Sequence, residues 1–322
     1  MSLDRWLHQP YLEDGFPLPL DVPFTLADAQ RAGLPRHWLT QLTAAALLRH
    51  PVKGCYVPAQ IPDDVASRTA CLKLVVPPDA VVVDRHAGWL LGADMVLHPN
   101  EHLNVQPITM FLPAGRGRLR NKLADSGERS FTASDLTEIH GIRVTTALRT
   151  ALDLGRQRWP EPALTALDAL HRLGLFTVDE ILAEVDRFNR MRWVTTLRLV
   201  APHTDGRSQS GGETVIRWRW KSLPVPPPEP QVEVRHDGRL AFIDVGNADV
   251  RCGVEFNGVA WHDGDEVRAA DAKRAAWLDE DGDWELEWLV SQDVYGHKAR
   301  VEEVIVATHA KAVRRHRRRT HV

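Results

Sequence analysis

Two carboxylates, Asp244 and Glu255, stand inside two apolar, β-rich runs that a short polar turn separates. A strand seldom places an acid in its interior, because burying an unpaired charge is costly. Two acids on paired strands are therefore expected to share a cation, and carboxylate oxygens favour a hard divalent ion such as Mg²⁺ or Mn²⁺. Such an ion promotes phosphate chemistry. In the alternative interpretation both acids are structural and pair with arginines such as Arg239 or Arg251.

The register of this hairpin decides whether the two acids meet. With a turn centred near Asp249 and Val250, Asp244 lies directly opposite Glu255, since opposed residues of an antiparallel pair share a face of the sheet. A slip of one residue would move one acid to the other face and separate them.

Glu213 is a candidate third metal ligand, contributed by a predicted helix over about residues 212–223. The alternative is a structural role, because Ser210-Gly-Gly-Glu213 matches a capping box, in which the glutamate closes back on the start of its own helix.

The elements that follow this helix predict a mixed sheet flanked by helices. They are strands at residues 232–234, 240–245 and 252–256, a helix near 265–280, a strand at 284–290 and a helix near 291–313. The alternation of Trp284, Leu286, Trp288 and Val290 predicts that the last strand is covered on one face.

Residues 1–60 have the pattern of a winged helix-turn-helix. A capping pattern at Thr25 begins one helix, Pro35 stands at the start of a second, and Gly54 marks the turn of a β-wing. The second helix of this motif can enter the major groove of DNA. The expected DNA contacts are Arg36, His37, Gln41, Thr43, Arg49 and Lys53. The alternative is a small helical subdomain that binds protein or has no partner.

Residues 61–206 predict a mixed α/β middle domain, and they contain no paired carboxylates, nucleophile elbow or phosphate loop. The polar, glycine-bearing stretch 202–212 predicts a boundary. The expected organisation is a multidomain α+β or α/β chain with domains at 1–60, 61–206 and 207–322.

Composition describes a water-soluble protein, with 43% hydrophobic and 26% charged residues. There is no signal peptide or membrane-length apolar run, and the three cysteines lie far apart in the sequence, so we expect a cytoplasmic protein with reduced thiols and no membrane partner. The net charge of −3 is unevenly spread, because the last stretch is strongly basic. In that tail Arg314, Arg315 and Arg317 are candidate phosphate contacts, and a solvated helix face is the alternative.

Two parts of the chain resemble known families. The segment from Ser208 onward resembles the very-short-patch-repair-like branch of the PD-(D/E)XK nuclease superfamily. The matching residues are Glu213, Gln231, Asp244, Glu255 with Asn257 and Gly258, His262, Asp271, Arg274 and the strand at Trp284. The winged helix and residues 141–154 resemble AbiEi-type antitoxins of abortive-infection systems.

The nuclease resemblance implies a restriction-endonuclease-like domain that hydrolyses DNA phosphodiester bonds, in phage defence or DNA repair. Asp244 and Glu255, with Glu213, would hold Mg²⁺ or Mn²⁺. Asn257 stands where that superfamily usually has a lysine, and His262 is a candidate acid or base.

The antitoxin resemblance implies a second hypothesis. The chain would be an AbiEi-type antitoxin or transcriptional regulator whose nuclease fold is inactive. DNA is the expected partner in both hypotheses, and the second adds a toxin or another copy of the chain.

Overall fold

The computed structural model describes residues 3–93, 107–119, 123–258, 273–279 and 283–320. In these ranges the chain has the mixed, multidomain α+β fold that was predicted, with helices around three sheets. The contacts divide it into two compact units. The first is Met1–Leu154 with Leu173–Glu184, and the second is Gly155–Arg172 with Val185–Val322. None of the described helices combines the length and the apolar character needed to cross a membrane.

The first unit begins with the predicted pair of short helices and hairpin. Its elements are α1 (Asp4–Leu7), β1 (Phe24–Thr25), α2 (Leu26–Arg31), α3 (Arg36–Ala44), β2 (Leu48–Val52) and β3 (Cys55–Pro58). Thr25 caps α2, because its hydroxyl accepts from the Asp28 N–H while the Asp28 carboxylate accepts from the Thr25 N–H at 2.9 Å. Gly54 makes the β2–β3 turn with a φ of +89°, which favours glycine. The three strands form one sheet in the order β1-β3-β2.

The rest of the first unit surrounds a mixed sheet in the order β6-β5-β4-β9-β8, to which β7 adds beside β5. Its elements are α4 (Val65–Lys73), β4 (Val81–Val82), α5 (Asp84–Leu91), β5 (Ile108–Pro113), β6 (Ala124–Asp125), β7 (Glu128–Arg129), β8 (Leu136–Ile139), β9 (Ile142–Thr145) and α6 (Ala147–Gly155). Buried ion pairs hold it, including Arg149 with Asp135 and Asp153 at 2.7 and 2.8 Å. Two helices follow α6: α7 (Pro160–His171) lies in the second unit and α8 (Val178–Glu184) in the first.

In the second unit α7 packs on α10 (Gly211–Trp220), and α9 (Val194–Val200) packs on α7. A fully buried ion pair joins α7 to α10, with Asp168 Oδ2 2.7 Å from Arg217 Nη2. The same Oδ2 accepts from the Thr214 hydroxyl at 2.8 Å. The predicted boundary between residues 206 and 207 therefore falls inside the second unit.

The sheet of the second unit has the order β10-β11-β12-β13. Its strands are β10 (Glu229–His236), β11 (Arg239–Asn247), β12 (Cys252–Asn257) and β13 (Glu285–Val290). β10 pairs antiparallel with β11 and β11 with β12, whereas β13 lies parallel to β12. Helical residues 273–279 (α11) come between β12 and β13. This matches the predicted order of these strands, and of the helix before the last strand, along the chain.

The C-terminal helix differs from its prediction. Instead of one helix near residues 291–313, the chain forms α12 (Ser291–Val294) and α13 (Val301–Thr320). Gly296, with a φ of +83°, lies between them, and Asp293 caps α12 by accepting from the Val290 N–H at 3.0 Å. A glycine in the left-handed region ends a helix, which explains the interruption.

The predicted covering of β13 is wrong at Trp288. That side chain is 40% exposed, whereas its neighbour Leu289 is fully buried in a core cluster with Val254 and Ile305. Leu289 meets α13, so β13 turns the face of Leu289 to the core and leaves Trp288 beside Glu255, its pairing partner in β12.

Candidate active site

The register places Asp244 and Glu255 as the sequence predicted. Val245 pairs with Val254 and Gly246 with Gly253, and this register continued by one residue sets Asp244 opposite Glu255. Glu255 is 7% exposed, and the Asp244 side chain is partly buried. Asp244 Oδ2 accepts from the Phe256 N–H at 2.8 Å, so its carboxylate lies against the neighbouring strand.

Gln231 lies on the other side of Asp244. Pro230 pairs with Val245 and Val232 with Ile243, which sets Gln231 opposite Asp244. Gln231 has a φ of +53°, a left-handed conformation that costs a non-glycine residue energy inside a strand. Such strain persists where the surrounding structure holds the residue in place. In this conformation the Gln231 amide contacts Glu213 and Asp244.

The Gln231 amide joins two of the three acids. Its Nε2 donates to Glu213 Oε2 at 3.2 Å and to Asp244 Oδ1 at 3.4 Å. Its Oε1 accepts from the Gln209 side chain at 3.2 Å. Since an amide nitrogen carries two hydrogens, one Gln231 side chain can serve both carboxylates.

Glu213 reaches the site from the first turn of α10. Its Oε2 accepts from the Gln209 N–H at 2.7 Å, and its own N–H donates to the Ser210 hydroxyl at 3.2 Å. Glu213 therefore closes the start of its helix through Gln209, one residue before the Ser210 N–H that the predicted capping box would use, and also lies beside Asp244. Gly212 permits the approach of α10 to the sheet, because an added Cβ would lie 2.3 Å from the Phe256 ring.

Burial raises the pKa of each of the three acids, and the charge of Asp244 adds to the rise at Glu255 and Glu213. Burial, followed by the negative charge of Asp244, raises the pKa of Glu255 from its ordinary 4.5 to about 7. The pKa of Glu213 is raised by the same two causes, and burial raises the pKa of Asp244. Like charges held close in a partly dry site disfavour ionisation, and perturbed groups of this kind are typical of functional sites.

Among the described residues, Arg274 of α11 is the cation that forms an ion pair in this cluster, with Glu255. Its Nη2 lies 3.0 Å from Glu255 Oε1 and also donates to the Phe242 carbonyl oxygen. The arginines proposed as structural partners lie elsewhere, because Arg251 pairs with Asp283 at 3.4 Å and Arg239 is exposed.

Asp244 and Glu255 are the side chains here that could hold a divalent ion. Among the residues that the structure describes, no three His, Cys, Asp or Glu side chains are grouped closely enough to hold one metal ion together. Mg²⁺, however, is usually bound by one or two carboxylates with waters and substrate phosphate oxygens completing its shell. The adjacent, charge-crowded Asp244 and Glu255 have the oxygen chemistry for that arrangement, and Glu213 adds negative charge beside them.

The other predicted catalytic residues lie at or beyond the edge of this cluster. Asn257 ends β12 with an exposed side chain. His262 and Asp271 lie outside the described residues. Gln231 and Arg274 were matched only through the family resemblance, and their contacts make them part of the cluster. A strand register that sets Gln231 opposite Asp244 could have identified Gln231 from the sequence. Nothing in the residue spacing pointed to Arg274.

The helix α3 presents the predicted DNA-contacting residues in an exposed row. The predicted Arg36, His37 and Gln41 are exposed, as is the neighbouring Thr40, while Leu39 and Leu42 bury the opposite face. The remaining candidates are more constrained. Thr43 and Lys53 are half-buried, and Arg49 donates to the Ile61 carbonyl and pairs with Asp63 at 3.7 Å.

On α13 the predicted phosphate contacts differ in what they touch. Arg315 pairs with Asp279, with Asp283 at 2.9 Å and with Glu285 at 3.7 Å, so its charge is already neutralised by the protein. Arg314 and Arg317 are exposed. A cavity of about 530 Å³ beside them is lined by Asp279, Glu285, Lys311, Arg314, Arg315 and Arg318.

Comparison with known proteins gives distant relatives. An uncharacterized protein of Mycobacterium tuberculosis, found in two strains, is 28% identical over 215 residues, which cover 66% of this chain and 78% of the relative. No protein-family model matches the chain. The function of the chain is therefore inferred from the geometry of the carboxylate cluster.

Proposed function

We propose that the second unit is a metal-dependent endonuclease domain that hydrolyses DNA phosphodiester bonds, and that the helix-wing part of the first unit binds DNA. The observation that carries the proposal is the row of Gln231, Asp244 and Glu255 across three strands, with Glu213 added from α10. Among the described residues, one direct ion pair, between Glu255 and Arg274, meets this cluster of three acids.

Each residue of such a site would have a separate role. A bound Mg²⁺ or Mn²⁺ would polarise the phosphodiester and lower the pKa of the attacking water. Asp244 and Glu255 would hold the ion. Gln231 fixes the orientation of the Asp244 and Glu213 carboxylates, and the Phe256 N–H holds the second oxygen of Asp244. Their fixed positions reduce the reorganisation that the reaction requires.

A plasmid-cleavage assay tests this function. The wild type should nick or cut DNA with Mg²⁺ or Mn²⁺ and lose the activity in EDTA. Asp244→Ala and Glu255→Ala should abolish it, while Asp249→Asn, which alters an exposed acid in the same hairpin, should retain it. Equal cleavage by the wild type and both alanine variants would refute the proposal, because the activity would come from a contaminant.

A second function, a DNA-binding regulator of the antitoxin type with an inactive nuclease fold, is favoured by two observations. Asn257 cannot supply the charge of a lysine, and α3 presents an exposed polar row suited to a DNA groove. This hypothesis expects salt-sensitive binding to the chain's own upstream DNA that survives Asp244→Ala and falls with Arg36→Ala. No mobility shift of that DNA would count against it.

A further inference from the structure

We propose that Arg274 forms an ion pair with Glu255 in the free protein and competes with a divalent ion for that carboxylate. Once the ion displaces it from Glu255, the Arg274 side chain binds the scissile phosphate. This inference rests on the proposed function, which supplies both the divalent ion and the scissile phosphate. It assigns Arg274 the positive charge that Asn257 does not supply.

The contacts of Arg274 support the first step. Its Nη2 bonds both Glu255 Oε1, at 3.0 Å, and the Phe242 carbonyl oxygen, so the guanidinium spans β11 and β12 beside Asp244. A guanidinium carries its charge at all physiological pH values. A divalent ion that takes Glu255 must therefore share or replace this contact.

The anchoring of α11 supports the second step. Trp277 and Leu278 are 7% and 0% exposed in a core cluster with Ile243 and Trp284, so the helix base is held on the sheet. The Arg274 side chain, in contrast, is 35% exposed, whereas that of Glu255 is 9% exposed. A long side chain on a fixed helix can turn from the carboxylate to a ligand in solvent without moving its backbone.

The chemistry of its guanidinium limits the roles that Arg274 could have in the reaction. It cannot accept a proton at neutral pH, so Arg274 is not a general base. It binds phosphate oxygens with two parallel hydrogen bonds, which suits the charge that develops on a phosphodiester under attack. Arg274 would thus act on the non-bridging oxygens, while a P–O bond forms to water, the P–O bond to the leaving sugar oxygen breaks, and the proton of the water passes through solvent to that oxygen.

The test measures Mn²⁺ affinity by calorimetry without DNA, together with the rate of plasmid cleavage, in the full chain. Three variants are compared with the wild type: Arg274→Gln, Arg274→Lys, and the control Arg239→Gln, which alters an exposed arginine of β11. Circular dichroism checks that each is folded. Arg274→Gln should bind Mn²⁺ on the order of tenfold more tightly, because its competitor is gone. It should also cleave at least about 100-fold more slowly.

Opposite changes in affinity and rate separate this role from a structural one, which would lower both. Arg274→Lys should keep wild-type Mn²⁺ affinity to within about threefold and recover part of the rate, since it retains the charge but not the paired hydrogen bonds. Unchanged or weaker Mn²⁺ binding by a folded Arg274→Gln would overturn the competition. Tighter binding with an unchanged rate would overturn the phosphate role. A wild type that binds Mn²⁺ but never cleaves would refute the proposed function and leave the competition to be judged by affinity alone.

Discussion

Replacing Glu255 by glutamine should stabilise the protein at pH 8 and leave it nearly unchanged at pH 4.5. Burial and the charge of Asp244 raise the pKa of Glu255 from 4.5 to about 7. Between these two values the unfolded chain has lost the proton and the folded chain keeps it. Stability therefore falls as pH rises through this window. Above pH 7 the full difference, about 3 kcal/mol, opposes folding. Glutamine has no charge to bury, so Glu255→Gln recovers up to that amount.

Urea denaturation at pH 4.5 and pH 8, followed by circular dichroism, measures this difference. The control is Asp249→Asn, an exposed acid of the same hairpin, which should change the free energy of unfolding by less than about 0.5 kcal/mol at either pH. A Glu255→Gln protein that is less stable than the wild type at pH 8 would refute the reasoning. So would an equal gain at both pH values, because the effect would then not come from ionisation.

Three further changes test other parts of the structure. Asp168→Asn should lower the free energy of unfolding by about 3–5 kcal/mol in urea denaturation, because it leaves the buried Arg217 without its counter-charge; a loss below 1 kcal/mol would contradict this. Gly212→Ala should cost about 1–3 kcal/mol, since its Cβ would lie 2.3 Å from the Phe256 ring, and a variant of unchanged melting temperature would show that α10 can shift freely. Arg36→Ala should reduce the slope of log affinity against log salt by about 0.9 in DNA-binding assays; an unchanged slope would remove Arg36 from the interface.

Local patterns predicted the hairpin well. The position of the turn decides its register, and the prediction assumed a turn centred near Asp249 and Val250. The facing of Asp244 and Glu255 follows directly. The capping of α2 by Thr25 was predictable for the same reason, since both partners lie within four residues of each other.

Contacts between distant segments could not be predicted in this way. Arg274 meets Glu255 from 19 residues away and Arg217 meets Asp168 from 49 residues away, and neither pairing has a period or a local motif. Trp288 was assigned to the covered face because alternation cannot tell which face of β13 α13 will cover. The strained φ of Gln231 likewise depends on its neighbours in space and has no signature in its own segment.

Anomalous scattering from a crystal of the full chain soaked in Mn²⁺ would show whether the two acids hold a metal ion. We expect an anomalous peak about 2.1 Å from one oxygen each of Asp244 and Glu255. We also expect the ion pair between Arg274 and Glu255 to be broken. An Mn²⁺-soaked crystal with no peak between the two acids, and with Arg274 still bonded to Glu255, would contradict it.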